Sequence, residues 1–238
     1  MPAQTVVPIT FGQGGPRTVS AFIVTGDRPF LVDTGTPGNA PAILGRLDEL
    51  GIPAEEIALI VITHAHPDHA GSAADLQVAT NAPVLAQRMD AEAMDVGASE
   101  PVAGRTPGAQ ELVKQIEARR AAMPDGPIYP PVQPGIIVDD EHDLASLGIA
   151  ARVIHTPGHT RGGLTVLLGN GEAITGDLVG SEGADPRVPA LAFFATDEAA
   201  MQKSIAQVLV TRPSVVHTCH DGSFTLAELQ DALGYLTE

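Results

Sequence analysis

Cysteine, basic residues, aromatics and long apolar runs are all scarce in this chain of 238 residues. Cys219 is the only cysteine, so no intramolecular disulfide can form and nothing points to an oxidising compartment. Lys114 and Lys203 are the only lysines, and 13 Lys and Arg face 29 Asp and Glu, a formal charge of −16. A phosphate backbone is held by clustered cations and released counterions, so this balance argues against a nucleic-acid partner. No apolar run reaches the roughly 18 residues that span a bilayer, which argues against a membrane protein. Met1-Pro2-Ala3-Gln4-Thr5 carries no basic segment and no long apolar stretch follows. A secretory signal is therefore not expected, and the cytoplasm is the expected compartment. Aromatics make up 3% of the chain, so any cluster of them bears on where a pocket lies.

What the chain does have is enough apolar content, 44% with a mean hydropathy of +0.12, to bury the core of one large domain. Its densest feature is Ile62-Thr63-His64-Ala65-His66-Pro67-Asp68-His69-Ala70-Gly71. Leu59-Ile60-Val61-Ile62 is short, β-branched and uncharged, and reads as a buried strand opening into a loop. His64 and His66, two apart in near-extended backbone, project to one side and can bind one metal. Asp68 and His69 follow where Pro67 bends the chain, and can face a second metal. A solvated loop without ligand is the alternative, but four donors at chelating spacing speak against it.

Strand patterns at 5–9 and 18–24 flank a turn at Gly12-Gln13-Gly14-Gly15-Pro16, and Pro29-Phe30-Leu31-Val32 is a third strand ending at Asp33. Ala42, Ile43, Leu44, Leu47 and Leu50 recur at helical spacing before Gly51 and Pro53. Strand, helix and strand thus alternate, the mark of a layered α/β architecture. A short helix-compatible stretch runs to Leu76, and a strand covers 82–86. Residues 89–135 are punctuated by prolines around one helix predicted over 110–122, and read as a lid or insertion within a single domain, 1–238. Met89, Met94, Met123, Ile128 and Tyr129 could furnish an apolar pocket wall, together with Leu191, Phe193 and Phe194.

Beyond this segment come a strand at 135–138, a turn at 139–141, and strands around Leu144 and over 150–154. The next loop is His155-Thr156-Pro157-Gly158-His159-Thr160. A hairpin over 164–174 ends at Thr175-Gly176-Asp177. A helix over 200–210, a strand at 214–216, the cluster His217-Thr218-Cys219-His220-Asp221-Gly222 and a helix over 226–236 complete the chain.

His-x-His-x-Asp-His after an apolar strand, with Thr-Pro-Gly-His-Thr and Gly-Asp following in order, resembles the metallo-β-lactamase superfamily. The resemblance runs from Asp33 to His220 and implies a four-layer αβ/βα sandwich. It implies one metal on His64, His66 and His159, a second on Asp68, His69 and His220, and Asp177 bridging the two. At Asp33, a turn or cap role and a carboxylate orienting a ligand imidazole remain open. His220 fits the family's Gly-His-Asp frame better than His217, although Cys219 stands where glycine is usual. His155 takes no ligand position and reads as structural or as a support behind the ligands.

Nitrogen and oxygen donors without thiolate suit two zinc ions, with iron or manganese as alternatives. Two such cations can hold a hydroxide as nucleophile and polarise a carbonyl, with Asp68 as the catalytic residue that orients it and relays a proton. The resemblance thus implies a hydrolase of a small-molecule ester, thioester or lactone, and the charge balance and lack of long apolar runs argue against nucleic acid and membrane as partners. Asp177 argues against dedicated β-lactamases, which carry Cys or Ser there, although broad-specificity β-lactam hydrolysis stays open. Lactonase relatives have a tyrosine where this chain has Gly180, and glyoxalase II-like thioesterases add a C-terminal domain. A persulfide dioxygenase-like protein with a single iron on His64, His159 and Asp177 is the other alternative. Oligomeric state is not legible.

Overall fold

A computed structural model describes residues 4–12, 18–181 and 188–237. The first half of the chain lays down strands β1 (Val6–Phe11), β2 (Val19–Val24) and β3 (Phe30–Val32), helix α1 (Ala40–Glu49), strand β4 (Ile60–Val61), helix α2 (Ala73–Thr80), strand β5 (Val84–Gln87), helices α3 (Arg88–Met94) and α4 (Pro107–Ala121), and strand β6 (Ile136–Val138). These six strands form one sheet in sequence order. β1 and β2 pair antiparallel, as do β2 and β3, while β3 to β6 run parallel.

The second sheet is built from β7 (Glu141–Asp143), β8 (Ala151–His155), β9 (Leu164–Leu168), β10 (Ala173–Ile174), β13 (Val215–His217) and β14 (Ser223–Thr225). Its order is β14-β13-β10-β9-β8-β7. A small hairpin of β11 (Val179–Ser181) and β12 (Pro189–Leu191) stands apart, and helices α5 (Glu198–Val210) and α6 (Leu226–Leu233) close the fold.

Alternation of side chains across the strands separates three apolar layers. In β3, Phe30 and Val32 face the second sheet while Leu31 faces the helices. The middle layer joins Phe22, Val24, Phe30, Val61 and Leu85 to Val153, Leu164, Val166 and Ile174. The outer layers cover the sheets with α1 to α3 on one side and with α5 and α6 on the other. This is the αβ/βα sandwich that the motif resemblance implies. α1 buries Ala40, Ile43 and Leu47, the stripe expected of a surface helix. Among the described residues no helix is long and apolar enough to cross a membrane.

Several element expectations need correction. Gln13 to Pro16 of the first turn lie outside the described residues. No strand forms around Leu144: residues 144–147 make a 3₁₀ turn that Asp143 caps through Ala145 N–H at 2.8 Å. The turn at 139–141 is where the chain leaves one sheet for the other. The last helix stops at Leu233 and tightens into a 3₁₀ turn over Gly234–Thr237. α4 begins at Pro107, because Thr106 caps it by accepting Ala109 N–H at 3.2 Å and proline suits the first turn.

The topology gathers one set of strand ends. β8 and β10 each pair antiparallel with β9, and β10 pairs parallel with β13, so β8, β10 and β13 share one direction. The loops after these strands carry His159, Asp177 and His220. In the other sheet the parallel strands β3 and β4 deliver Asp33 and the 63–69 loop.

Candidate metal centre

The five loops meet at one end of the sandwich. His64 Nε2 lies 3.1 Å from His66 Nδ1, and His66 Nδ1 lies 3.1 Å from His159 Nε2. Two imidazole nitrogens bound to one tetrahedral zinc at about 2.0–2.1 Å stand roughly 3.3 Å apart, so the three rings already hold the separation of a shared ion. Burial and mutual repulsion keep them neutral: His64 is held well below the usual imidazole range, His66 is pushed down to about 3, and His159 is lowered as well. Their lone pairs converge, as metal binding requires.

A second group forms beside the first. Ligand atoms of Asp68, His69 and His220 lie within 4.8 Å of one another, with His220 Nε2 3.5 Å from Asp68 Oδ2. Asp177 stands between the groups. Its Oδ2 is 3.6 Å from His159 Nε2 and 3.9 Å from His64 Nε2 on one side, and 3.4 Å from His69 Nε2 and 3.1 Å from His220 Nε2 on the other. Burial pushes the Asp177 carboxyl up, but His220 and His69 outweigh it and hold it well below the carboxylate range. Among the described residues Asp177 Oδ1 and His69 Nε2 are buried without a hydrogen-bond partner, an unfavourable state that a coordinated cation would relieve. The donor set therefore fits two cations.

Several of these rings have protein partners on their outward nitrogens, which fix their orientation. His69 Nδ1 donates to Asp33 Oδ2 at 2.9 Å, His159 Nδ1 to Phe194 O at 3.0 Å, and His220 Nδ1 to Thr18 O at 2.6 Å. Asp33 is fully buried, with a positive φ of 60°, and also accepts Thr63 N–H and Thr63 O–H, each at 2.7 Å. Cys219, in the glycine position of the family pattern, is buried and directs its thiol to Asp33 Oδ2 at 3.3 Å. Gly176 precedes Asp177 with φ +57°, and a Cβ there would sit 2.7 Å from the Thr63 hydroxyl. Asp177 thus approaches the 63–69 loop over a residue that only glycine fills without strain.

The structure brings His64, His66, Asp68, His69, His159, Asp177 and His220 together and leaves other candidates out. His217 has both ring nitrogens engaged elsewhere, Nε2 with Glu172 and Nδ1 with Ser223, each at 2.8 Å. His155 Nε2 donates to Arg161 O at 2.7 Å, away from the cluster. The pocket-wall reading of 89–135 needs revision. Met94 is fully buried in the helix-side core and Ile128 packs against that core, while Met89 and Met123 are exposed. Tyr129 is buried too, its hydroxyl 3.1 Å from Ala65 O and 2.6 Å from Ala98 O, so it underlies the histidine loop rather than facing a groove. Phe193 is exposed and Phe194 half-buried, packed edge to face at 5.4 Å beside the His159 contact. Sequence reasoning missed Asp90, a buried carboxyl on the apolar face of α3. Its spacing of four from Met94 was the available signal.

Fold and donor set define an αβ/βα sandwich whose clustered His and Asp side chains suit metal binding. The chain belongs to the metallo-beta-lactamase superfamily, whose family model matches residues 14–220. A Methanocaldococcus jannaschii protein named as a probable metallo-hydrolase is 26% identical over 160 residues, covering 67% of this chain and 66% of that protein. Hydroxyacylglutathione hydrolase of Albidiferax ferrireducens is 28% identical over 125 residues, 52% of this chain and 32% of that enzyme. The chain thus spans less than two thirds of the length of these curated relatives. Among solved structures, TTHA1623 in a di-iron-bound form superimposes with a TM-score of 0.65 at 27% identity, covering 97% of this chain and 100% of that one.

Proposed function

We propose that this chain is a metal-dependent hydrolase that binds two zinc ions and cleaves an ester, thioester or lactone bond in a small molecule. The observation that carries the reading is Asp177 Oδ2, placed within 3.1–3.9 Å of imidazole nitrogens from both donor groups. His64, His66 and His159 would hold the first ion, Asp68, His69 and His220 the second, with Asp177 shared. Bound, such a pair supplies Lewis acidity: it lowers the pKa of water to near neutrality and polarises the carbonyl under attack. The protein's part is to bind, orient and move protons. Asp33 and the Phe194 and Thr18 carbonyls fix three of the imidazole rings from behind. Asp68, whose side chain is 36% exposed, is the most open donor of the second group and suits the passing of a proton to a leaving group. The names of the two curated relatives, a probable metallo-hydrolase and a hydroxyacylglutathione hydrolase, support this chemistry.

Iron is the second metal to consider, because TTHA1623 was solved with two irons. A single-iron dioxygenase would need only His64, His159 and Asp177, and the convergence of Asp68, His69 and His220 favours two ions instead. Elemental analysis of protein purified without added metal should give two ions per chain, mostly zinc, together with turnover of acyl esters, thioesters or lactones. His220→Ala should empty one of the two sites, and His217→Ala should leave both filled. One iron per chain in fully active protein would overturn the proposal.

A further inference from the structure

The segment between β5 and β6 meets the loops that supply His64, His66 and His159 at several points. The Ala65 peptide lies between His64 and His66. Its carbonyl takes the Tyr129 hydroxyl at 3.1 Å, a proton shared with Ala98 O at 2.6 Å. Its N–H acts on the carboxyl of Asp90, which is 3% exposed. Asp90 also abuts the loop that carries His159: a Cβ at Gly162 would lie 2.6 Å from the Asp90 carboxyl carbon and 2.9 Å from either oxygen. The Thr160 hydroxyl faces the same carboxyl, though it and Asp90 Oδ2 each lack a formed hydrogen bond. Glu100 holds this loop from outside, accepting Arg161 N–H at 2.7 Å and the Arg161 side chain at 2.6 Å. Ala195 N–H donates to Ala103 O at 2.9 Å, next to the Phe194 carbonyl that orients His159.

We propose that Asp90, Glu100 and Tyr129 form a brace that fixes the spacing of His64, His66 and His159, so that this segment sets the affinity and geometry of the first metal site. These are positioning residues. The chemical reason is the short reach of metal–nitrogen bonds: three donors from two loops share an ion only while the loops keep one separation, and here the β5–β6 segment spans both. Tyr129 and Asp90 act on the peptide between two ligands, and Asp90 and Glu100 on the residues just after the third. The brace rests on the reading that these histidines hold a metal.

The test uses the full chain with zinc titrated against a chelating dye, and cobalt(II) as a spectroscopic probe of ligand geometry. Asp90→Ala and Tyr129→Phe should each weaken first-site zinc affinity by about 10–100-fold, the range typical of groups that orient ligands. They should also shift the cobalt absorption bands. Asp90→Asn, which keeps the size of the side chain and one acceptor oxygen, should restore both to near wild type. Thr80→Val removes an equally buried hydroxyl, bonded to Leu76 O at 2.7 Å at the end of α2, and should change neither. Should Asp90→Ala fail to fold, Tyr129→Phe decides by the same readouts. Folded variants with unaltered affinity and spectrum would overturn the brace, as would an equal loss in Thr80→Val. Wild-type protein that takes up neither ion would instead overturn the metal reading beneath it.

Discussion

Asp90 and Asp177 are both largely buried, yet their carboxyl groups move in opposite directions. Around Asp177 the imidazoles of His220 and His69 win over desolvation. Around Asp90 desolvation wins: its pKa is pushed up to about 7 by burial and by Glu100, against the Ala65 N–H, the Thr160 hydroxyl and the Arg161 cation. The folded protein therefore holds the Asp90 proton more tightly than the unfolded chain does. Its contribution to stability is fully present below about pH 4 and is lost as pH rises through about 7. A shift of this size corresponds to at most about 4 kcal/mol. Asp90→Asn, uncharged throughout, should match wild type near pH 4 and unfold at a higher temperature by pH 8; parallel melting curves at the two pH values check it. Equal curves for both proteins at pH 8 would mean that the ionised carboxylate is better solvated than its burial implies.

At the scale of elements, chelating donors close in sequence were legible from spacing, His159, Asp177 and His220 were legible through the family motifs, and the contacts of Asp33 and Cys219 needed the fold. His64, His66, Asp68 and His69 share one loop, so strand periodicity and spacing place them without any tertiary knowledge. Asp33 meets His69 across 36 residues and Cys219 across 186, and only the sandwich makes them neighbours. The missed helix α3 is seven residues long and follows β5 without a break, which leaves no loop to mark its start. α4 shows the converse: it was legible from composition although packing hardly supports it. Of its 15 residues Ala109 is the one buried. A helix so placed relies on its cap and intrinsic propensity, and opens locally at lower cost than the core. Thr106→Ala should cost about 1 kcal/mol of that local stability. Amide exchange within α4 should accelerate about fivefold while the midpoint of global unfolding stays nearly fixed. A matching fall in global stability would show that α4 unfolds only with the core.

For the whole molecule, charge and apolar surface argue for the same class of ligand. A net charge of −16 repels polyanions, and on the His159 side of the centre Phe193 is exposed while the neighbouring base, Arg161, is paired with Glu100 at 2.6 Å. Phe193 is 43% exposed, and the N-terminal end of α4 meets its ring, where a Cβ at Gly108 would lie 3.7 Å away. Leu112 and Ile116, one and two turns further along α4, are exposed as well. Arg105, two residues before α4, is drawn inward to Ala192 O at 3.2 Å and to Glu198 at 3.6 Å. An uncharged acyl chain laid from the metals toward Phe193 would bury methylene groups at about 0.8 kcal/mol each, roughly a fourfold gain in affinity per carbon. Across a graded series of acyl esters or lactones, KM should fall with chain length until the apolar surface is covered. Phe193→Ala should flatten that series while leaving metal content unchanged. A flat series in wild type, or a preference for phosphodiesters over every acyl substrate, would mean that polar groups rather than Phe193 select the ligand.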